Sequence, residues 1–168
     1  MYDFALQFDP REIPALADRF GISDDAECER AGQAAAARGW YERDEFLTVC
    51  AWKSPRSRPL VSANDAAQIR ERTGRALTAP GEEQRMLALL ELRGVAIPTA
   101  STLLYFAYPA DYPILDVRAL ESLGQTPRST LAFWLEYLDA CRALARENGV
   151  SVRTLDKALW QYSKERAG

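Results

Sequence analysis

Apolar residues recur every three or four positions along most of this chain, which is the spacing of an amphipathic helix and not the alternation of a strand. In the first such stretch, Ile13, Leu16, Ala17 and Phe20 would all lie on one helix face. The pattern therefore predicts an all-α protein. Between proline, glycine and capping residues, it predicts helices over residues 10–21, 23–39, 42–52, 62–77, 82–92, 98–107, 116–123, 129–148 and 151–166.

Side chains that can cap helices mark where several of these helices begin. Ser23 or Asp24 would cap the second helix, and Ser62 would open the fourth. Ser129 and Ser151 would begin the last two. No repeat, linker or low-complexity segment interrupts the series, so we expect a single domain over residues 1–168.

The residue types limit the chemistry that is available. With 48% hydrophobic and 27% charged residues, the composition is that of an ordinary soluble globular protein. The chain has no histidine, which removes the commonest metal ligand and the usual general base near neutral pH. Cys28, Cys50 and Cys141 are far apart in the sequence and odd in number, so they predict neither a disulfide framework nor a close-spaced metal site. We therefore expect no metal and no cofactor, and we expect any catalysis to use carboxylates.

The charge pattern bears on location and partners. No run of eighteen apolar residues occurs, and the first residues carry acids, so we expect no membrane span or signal peptide and a cytoplasmic protein. The net charge of −3 argues against nucleic acid, because neutralising phosphates supplies much of that affinity. However, residues 53–75 carry six basic residues against two acids, whereas residues 1–30 carry eight acids against three arginines. A basic face for an anionic partner can therefore coexist with an acidic face.

Residues 92–100, LRGVAIPTA, combine a helix end, a glycine turn and the start of a second apolar helix. Asp116 follows that helix and a proline-containing loop. This arrangement resembles the core of the helix-hairpin-helix DNA glycosylases, whose hairpin of the form LPGVGxxTA binds DNA backbone phosphate. The resemblance covers residues 87–123, with the hairpin at 87–107 and the candidate catalytic region at 111–124. The matching hairpin positions are Leu92, Gly94, Val95, Thr99 and Ala100.

The resemblance implies a base-excision protein that acts on damaged double-stranded DNA. Asp116 would be the catalytic carboxylate that helps to hydrolyse the N-glycosidic bond of a damaged or mispaired base. Pro98 stands where bifunctional relatives carry a Schiff-base lysine, so the enzyme would be monofunctional. Ala96 replaces the second glycine of the hairpin, where its methyl group disfavours a positive φ. The implied DNA contacts are Gly94, Val95, Ala96 and Thr99. Arg118, two residues after Asp116, would either contact phosphate or pair with Asp116.

Further candidates lie beside this core. The proline-stiffened segment KSPRSRP would contact phosphates through Lys53, Ser54, Arg56, Ser57 and Arg58. Aromatic side chains that would wedge into DNA or stack on an extruded base are Trp52, Tyr105, Tyr108 and Tyr112.

Each of these assignments has a structural alternative. Asp116 would serve only as a helix N-cap, the basic segment as a solvated connector, and the aromatic rings as core. A non-catalytic DNA-binding or protein-interaction domain that keeps the fold is then the alternative function. A monomer is the default oligomeric state.

Overall fold

The computed structural model describes residues 1–21 and 25–168, and over those residues the protein is all-α, without a strand. Two short 3₁₀ turns occur at Pro10–Glu12 and Pro55–Ser57. The α-helices are α1 (Ile13–Phe20), α2 (Ala26–Arg38), α3 (Arg43–Lys53), α4 (Arg58–Val61), α5 (Ala66–Thr78), α6 (Glu82–Leu90), α7 (Ile97–Ala107), α8 (Val117–Ser122), α9 (Leu131–Glu147) and α10 (Val152–Ala167). The predicted fold class is confirmed. None of these helices is both long and apolar enough to cross a membrane.

The helix starts follow the predicted caps in some places and shift in others. Asp116 and Ser151 are N-caps, as predicted. Ser62 does not open α5; Asp65 caps it, because the Asp65 carboxylate accepts from the Gln68 N–H at 2.8 Å. Similarly, Thr130 and not Ser129 caps α9. The predicted cap at Ser23 or Asp24 lies outside the described residues.

The segment KSPRSRP was expected to end the third helix, and α3 does end at Lys53. The segment then continues as the 3₁₀ turn and as α4, each of which has a proline in its first turn. Proline is tolerated there because its missing N–H costs no intrahelical bond. The basic segment is therefore ordered in two helical turns.

The chain forms two compact units. Unit 1 comprises Met1–Ser23 and Ala110–Gly168, and unit 2 comprises Asp24–Pro109. Because unit 1 is built from both ends of the chain, its boundaries leave no local signal in the sequence. The single-domain assignment remains a prediction.

In unit 1, α1, α8 and α9 pack on α10. Helical spacing predicts that the aromatic residues of the last two helices belong to the core. Phe133, Trp134 and Tyr137 are fully buried, which confirms this for α9. Trp160 and Tyr162 of α10 are only half-buried.

In unit 2, α7 is the central helix, and nearly all of its side chains are buried. Helix α2 packs on it through small residues. The closest approach is at Gly32, where a Cβ atom would lie 2.0 Å from the Phe106 carbonyl oxygen. The Tyr41 hydroxyl donates to the Leu103 carbonyl at 2.6 Å and ties the start of α3 to the same helix. These contacts fix α7, and with it the hairpin that leads into it.

Candidate nucleic-acid interface

The hairpin turn between α6 and α7 is anchored by two apolar side chains and one glycine. Leu92 and Val95 are buried, and the Val95 N–H donates to the Leu92 carbonyl at 3.3 Å. Gly94 has φ +77, in the left-handed region that favours glycine. A Cβ atom at Gly94 would also lie 2.8 Å from the Leu60 Cβ and 2.9 Å from the Val61 nitrogen. The turn therefore packs directly against α4.

A buried amide joins the turn to the segment that follows α4. The Asn64 side chain donates to the carbonyls of Val61 at 2.9 Å and Arg93 at 3.0 Å. Its oxygen accepts from the Arg93 N–H at 3.0 Å. Asn64 is only 3% exposed, so these bonds are sheltered from water. Asn64 falls within the helix predicted over residues 62–77, so no local signal marked it as a residue that joins two elements.

The same connection is held from its other side by Arg43. The guanidinium of Arg43 donates to the carbonyls of Ser62 at 2.8 Å and Asn64 at 3.2 Å. The Arg43 side chain is thus hydrogen-bonded to the backbone, whereas the arginines described below are exposed.

The first turn of α7 starts at Ala96, whose side chain cannot cap the helix. Ala96 has φ −98, so an alanine at this position of the hairpin is unstrained in the extended backbone. Pro98 has no N–H, and the N–H groups of Ile97 and Thr99 precede the first intrahelical bond, which runs from Ala100 to Ala96. Ala96 is exposed and Gly94 is half-buried, whereas the side chains of Val95 and Thr99 are buried. Any contact of the last two with a ligand would therefore be through the backbone.

The basic segment and the hairpin turn come together in unit 2. Arg56 and Arg58 are exposed, and so is Arg93 in the turn itself. Over residues 1–21 and 25–168, none of these three arginines forms an ion pair with an acid. Leu60 of α4, which contacts the turn at Gly94, is 59% exposed. We call Arg56, Arg58, Leu60, Arg93 and Ala96 the hairpin surface.

The other predicted DNA-contact residues of this segment are half-buried and interact with other parts of the protein. Lys53 and Ser54 are half-buried, and Lys53 already has an interaction within the protein. The Ser57 hydroxyl donates to the Ser54 carbonyl at 2.8 Å. Arg56 and Arg58 are therefore the most available members of the predicted set.

The predicted wedge and stacking aromatics divide by exposure. Trp52 is 38% exposed and makes a T-shaped contact with Phe106, with ring centroids 5.1 Å apart. Tyr108 is half-buried, and its hydroxyl donates to the Leu77 carbonyl at 3.3 Å. Tyr105 and Tyr112 are buried, as expected if these two rings belong to the core. Contact between any of these four rings and a nucleotide stays a prediction.

Asp116 lies in unit 1, at the start of α8. Its Oδ1 atom accepts from the Arg118 N–H at 2.8 Å, and the residue is half-buried. The preceding residues are fixed at Ile114, whose N–H donates to Asp156 at 2.9 Å and whose carbonyl accepts from the Tyr137 hydroxyl at 2.8 Å. The carboxylate that the resemblance assigns to catalysis is thus a helix cap on a firmly held segment.

Metal and thiol chemistry find little support in the described residues. No group of three or more histidine, cysteine, aspartate or glutamate side chains is placed there to hold a metal ion. Burial raises the pKa of Cys28 and of Cys50 to about 12. These thiols are therefore protonated near neutral pH and are poor nucleophiles.

Comparisons with protein-family models, with curated proteins and with solved structures found no match to this chain.

Proposed function

We propose that this protein binds duplex DNA through the sugar-phosphate backbone, using the hairpin surface. The observation that carries the proposal is the packing of the Gly94 turn against α4. This packing joins the segment that carries the exposed Arg56 and Arg58 to the turn that carries the exposed Arg93 and leads into α7.

The chemistry of that surface suits phosphate. N–H groups in the first turn of a helix lack intrahelical partners and carry partial positive charge, so they favour an anion. Arginine adds charge and planar, paired donors that match phosphate oxygens. Such contacts grip the backbone without reading sequence. On a protein with a net charge of −3, this local positive surface would make binding strongly dependent on salt.

We further propose that the bound DNA is a substrate for hydrolysis of the N-glycosidic bond of a damaged or mispaired base, with Asp116 as the catalytic carboxylate. A water oxygen would attack C1′ of the deoxyribose while the bond from C1′ to the base nitrogen breaks. The bonding electrons leave with the base, whose nitrogen takes up a proton from solvent. The attacking water gives one proton to the Asp116 carboxylate, which then returns it to solvent. The same carboxylate would stabilise the positive charge that develops on the sugar. Because position 98 is a proline, no Schiff base forms there, and the proposed enzyme is monofunctional.

One observation favours a second candidate, a DNA-binding protein without catalysis. The Asp116 carboxylate already accepts from the Arg118 N–H, and this capping bond alone would account for an aspartate at this position. A protein-interaction domain that uses the acidic N-terminal region is the further alternative, and it predicts no affinity for DNA.

The binding proposal is tested by neutralising the two arginines of the basic segment. For Arg56→Gln/Arg58→Gln we expect the affinity for duplex DNA to fall about tenfold or more at ~0.1 M salt, and the salt slope to decrease by about 2. Fluorescence anisotropy of a labelled duplex over a salt series measures both. The double variant Arg30→Gln/Arg146→Gln changes the charge equally at exposed positions outside the hairpin surface, and it should retain wild-type affinity. Equal effects of the two double variants would contradict the assignment of the hairpin surface.

The catalytic proposal is tested by Asp116→Asn. Asparagine is as good an N-cap as aspartate, so the start of α8 should be preserved while the charge is lost. We expect release of free base from duplexes carrying damaged or mispaired bases to fall at least about a hundredfold, with DNA affinity unchanged. Chromatography of the released bases and anisotropy measure the two quantities. No base release by the wild-type protein across the panel, with DNA binding intact, would instead support the non-catalytic candidate.

A further inference from the structure

A second group of cations, ordered by two aromatic rings, lies in unit 1. Phe20 at the end of α1 and Trp160 of α10 make a T-shaped contact, with ring centroids 5.3 Å apart. The Arg118 guanidinium carbon lies 5.4 Å from the centroid of the Trp160 ring, and the Lys164 ammonium lies 5.2 Å from it. The Lys157 ammonium lies 5.6 Å from the centroid of the Phe20 ring. We call these five residues the ring–cation cluster.

Over residues 1–21 and 25–168, none of the three cations of this cluster forms an ion pair with an acid. Of these five residues, only Arg118 is a predicted DNA contact, and acids are interleaved with the lysines along α10. In the structure, the interleaved acids have other partners. Glu165 pairs with Arg19, Glu121 accepts from Ser163, and Asp156 accepts from the Ile114 N–H.

The rings also reduce the cost of binding an anion. Lys157, Trp160 and Lys164 follow one another at helical spacing on one side of α10. Cation–π contacts hold long flexible side chains in place, so part of their conformational entropy is lost before a ligand arrives. A group of cations that is already ordered and has no acid partner is suited to a multivalent anion with regularly spaced charges.

We infer that the ring–cation cluster is a second binding surface for the phosphodiester backbone of nucleic acid. The inference rests on DNA as the partner in the proposed function and assigns to that partner a second set of contact residues, none of which belongs to the hairpin surface. Its position in unit 1 supports this choice of anion, because Arg118 lies two residues beyond Asp116 and its N–H donates to the Asp116 carboxylate. A phosphate bound by Arg118 would place a nucleotide close to the carboxylate that is proposed to act on its sugar.

The test neutralises the two lysines, which carry no other assigned role. We expect Lys157→Gln/Lys164→Gln to lower duplex affinity about tenfold at ~0.1 M salt and to decrease the salt slope by about 2. The matched control is again Arg30→Gln/Arg146→Gln, which should leave both quantities unchanged. Circular dichroism should report wild-type helix content for each variant.

A second readout locates the contact. Trp160 is one of four tryptophans, and its indole N–H signal in a proton–nitrogen NMR spectrum can be assigned with Trp160→Phe. We expect that signal to shift on addition of duplex DNA in wild-type protein, and to shift less in Lys157→Gln/Lys164→Gln. Titration with single-stranded DNA shows whether the duplex form is required. Polyglutamate and inorganic phosphate at equal ionic strength show whether another anion produces the same shift.

The outcomes separate this inference from the proposed function. If wild-type protein binds duplex DNA, and the lysine variant retains both the affinity and the salt slope, the inference is wrong and the hairpin surface stands. If the lysine variant loses affinity whereas Arg56→Gln/Arg58→Gln does not, the inference holds and the hairpin surface is wrong. A wild-type protein without affinity for DNA overturns both. An equal shift of the Trp160 signal with polyglutamate or inorganic phosphate overturns the choice of nucleic acid as the ligand.

Discussion

Gly94 is needed for two separate physical reasons. Its φ of +77 lies in a region where a Cβ atom is strained, and that Cβ atom would also overlap Leu60 and Val61. The first reason is local and can be anticipated from a glycine after a helix. The second depends on α4, which is some thirty residues earlier in the chain, and only the structure shows it.

A pair of glycine substitutions separates these two reasons. Gly149 follows α9 with φ +63, and nothing lies within 4 Å of the position that its Cβ atom would take. We expect Gly149→Ala to cost about 1 kcal/mol in the free energy of unfolding, from backbone strain alone. Gly94→Ala should cost about 3 kcal/mol, because crowding against α4 adds to the strain. Urea unfolding monitored by circular dichroism measures both, and equal losses would mean that α4 yields to the added methyl group.

At the scale of elements, α4 and the 3₁₀ turn before it are the main difference from expectation. The prolines and serines predicted a break in the helix, which is correct for α3. They did not predict that the break would form a compact helical corner with Asn64 and Arg43 bonded to its backbone. This corner turns a stretch of basic residues into a surface with defined positions. The proposed phosphate contacts depend on that order.

Asn64 provides a test of the corner that changes no charge. Because its amide makes bonds to both Val61 and Arg93 in a buried setting, Asn64→Ala should cost about 2 kcal/mol in the free energy of unfolding. It should also weaken DNA binding about threefold to tenfold, because the Gly94 turn and α4 would no longer be held in a fixed position relative to each other. Urea unfolding and anisotropy measure the two effects.

The control for Asn64 is an asparagine that joins no two elements. The half-buried Asn148 donates to the Leu144 carbonyl at 2.8 Å, one turn earlier in the same chain segment. We expect Asn148→Ala to cost less than about 1 kcal/mol and to leave DNA affinity unchanged. If Asn64→Ala loses stability but keeps full affinity, the hairpin surface does not require a fixed turn.

Over the whole molecule, the sequence pattern predicted those features of the fold that depend on residues close together in the chain. Helix periodicity, the caps at Asp116 and Ser151, and the glycine at the end of α9 follow from residues within a few positions of each other. The observed N-cap differs from the predicted one where several small polar residues lie close together in the sequence, as at Ser62 and Asp65. The bond from Asn64 to Arg93 and the division into two units join distant parts of the chain, so no short-range pattern could reveal them.

The distribution of ion pairs makes a prediction about acid stability. The Arg19 guanidinium, with help from Gln161, lowers the pKa of Glu165 from 4.5 to about 2. Above pH 4.5 this carboxyl is ionised in both folded and unfolded protein, so the pair stabilises fully. As the pH falls from 4.5 toward 2, the unfolded chain takes up the proton first, and the stabilisation is lost. Arg11 acts in the same direction on the pKa of Asp9, which is lowered to about 2.

Arg19→Gln isolates one of these pairs. We expect the melting temperature of this variant to lie below that of wild type at neutral pH, and the difference to narrow as the pH falls from 4.5 to 2. The effect should be modest, because the pair is exposed and screened by solvent. Arg146→Gln removes a charge at an exposed position without an acid partner among the described residues, so its difference from wild type should depend less on pH. Calorimetry at a series of pH values distinguishes the two, and a gap for Arg19→Gln that stays constant down to pH 2 would show that Glu165 is not held ionised by Arg19.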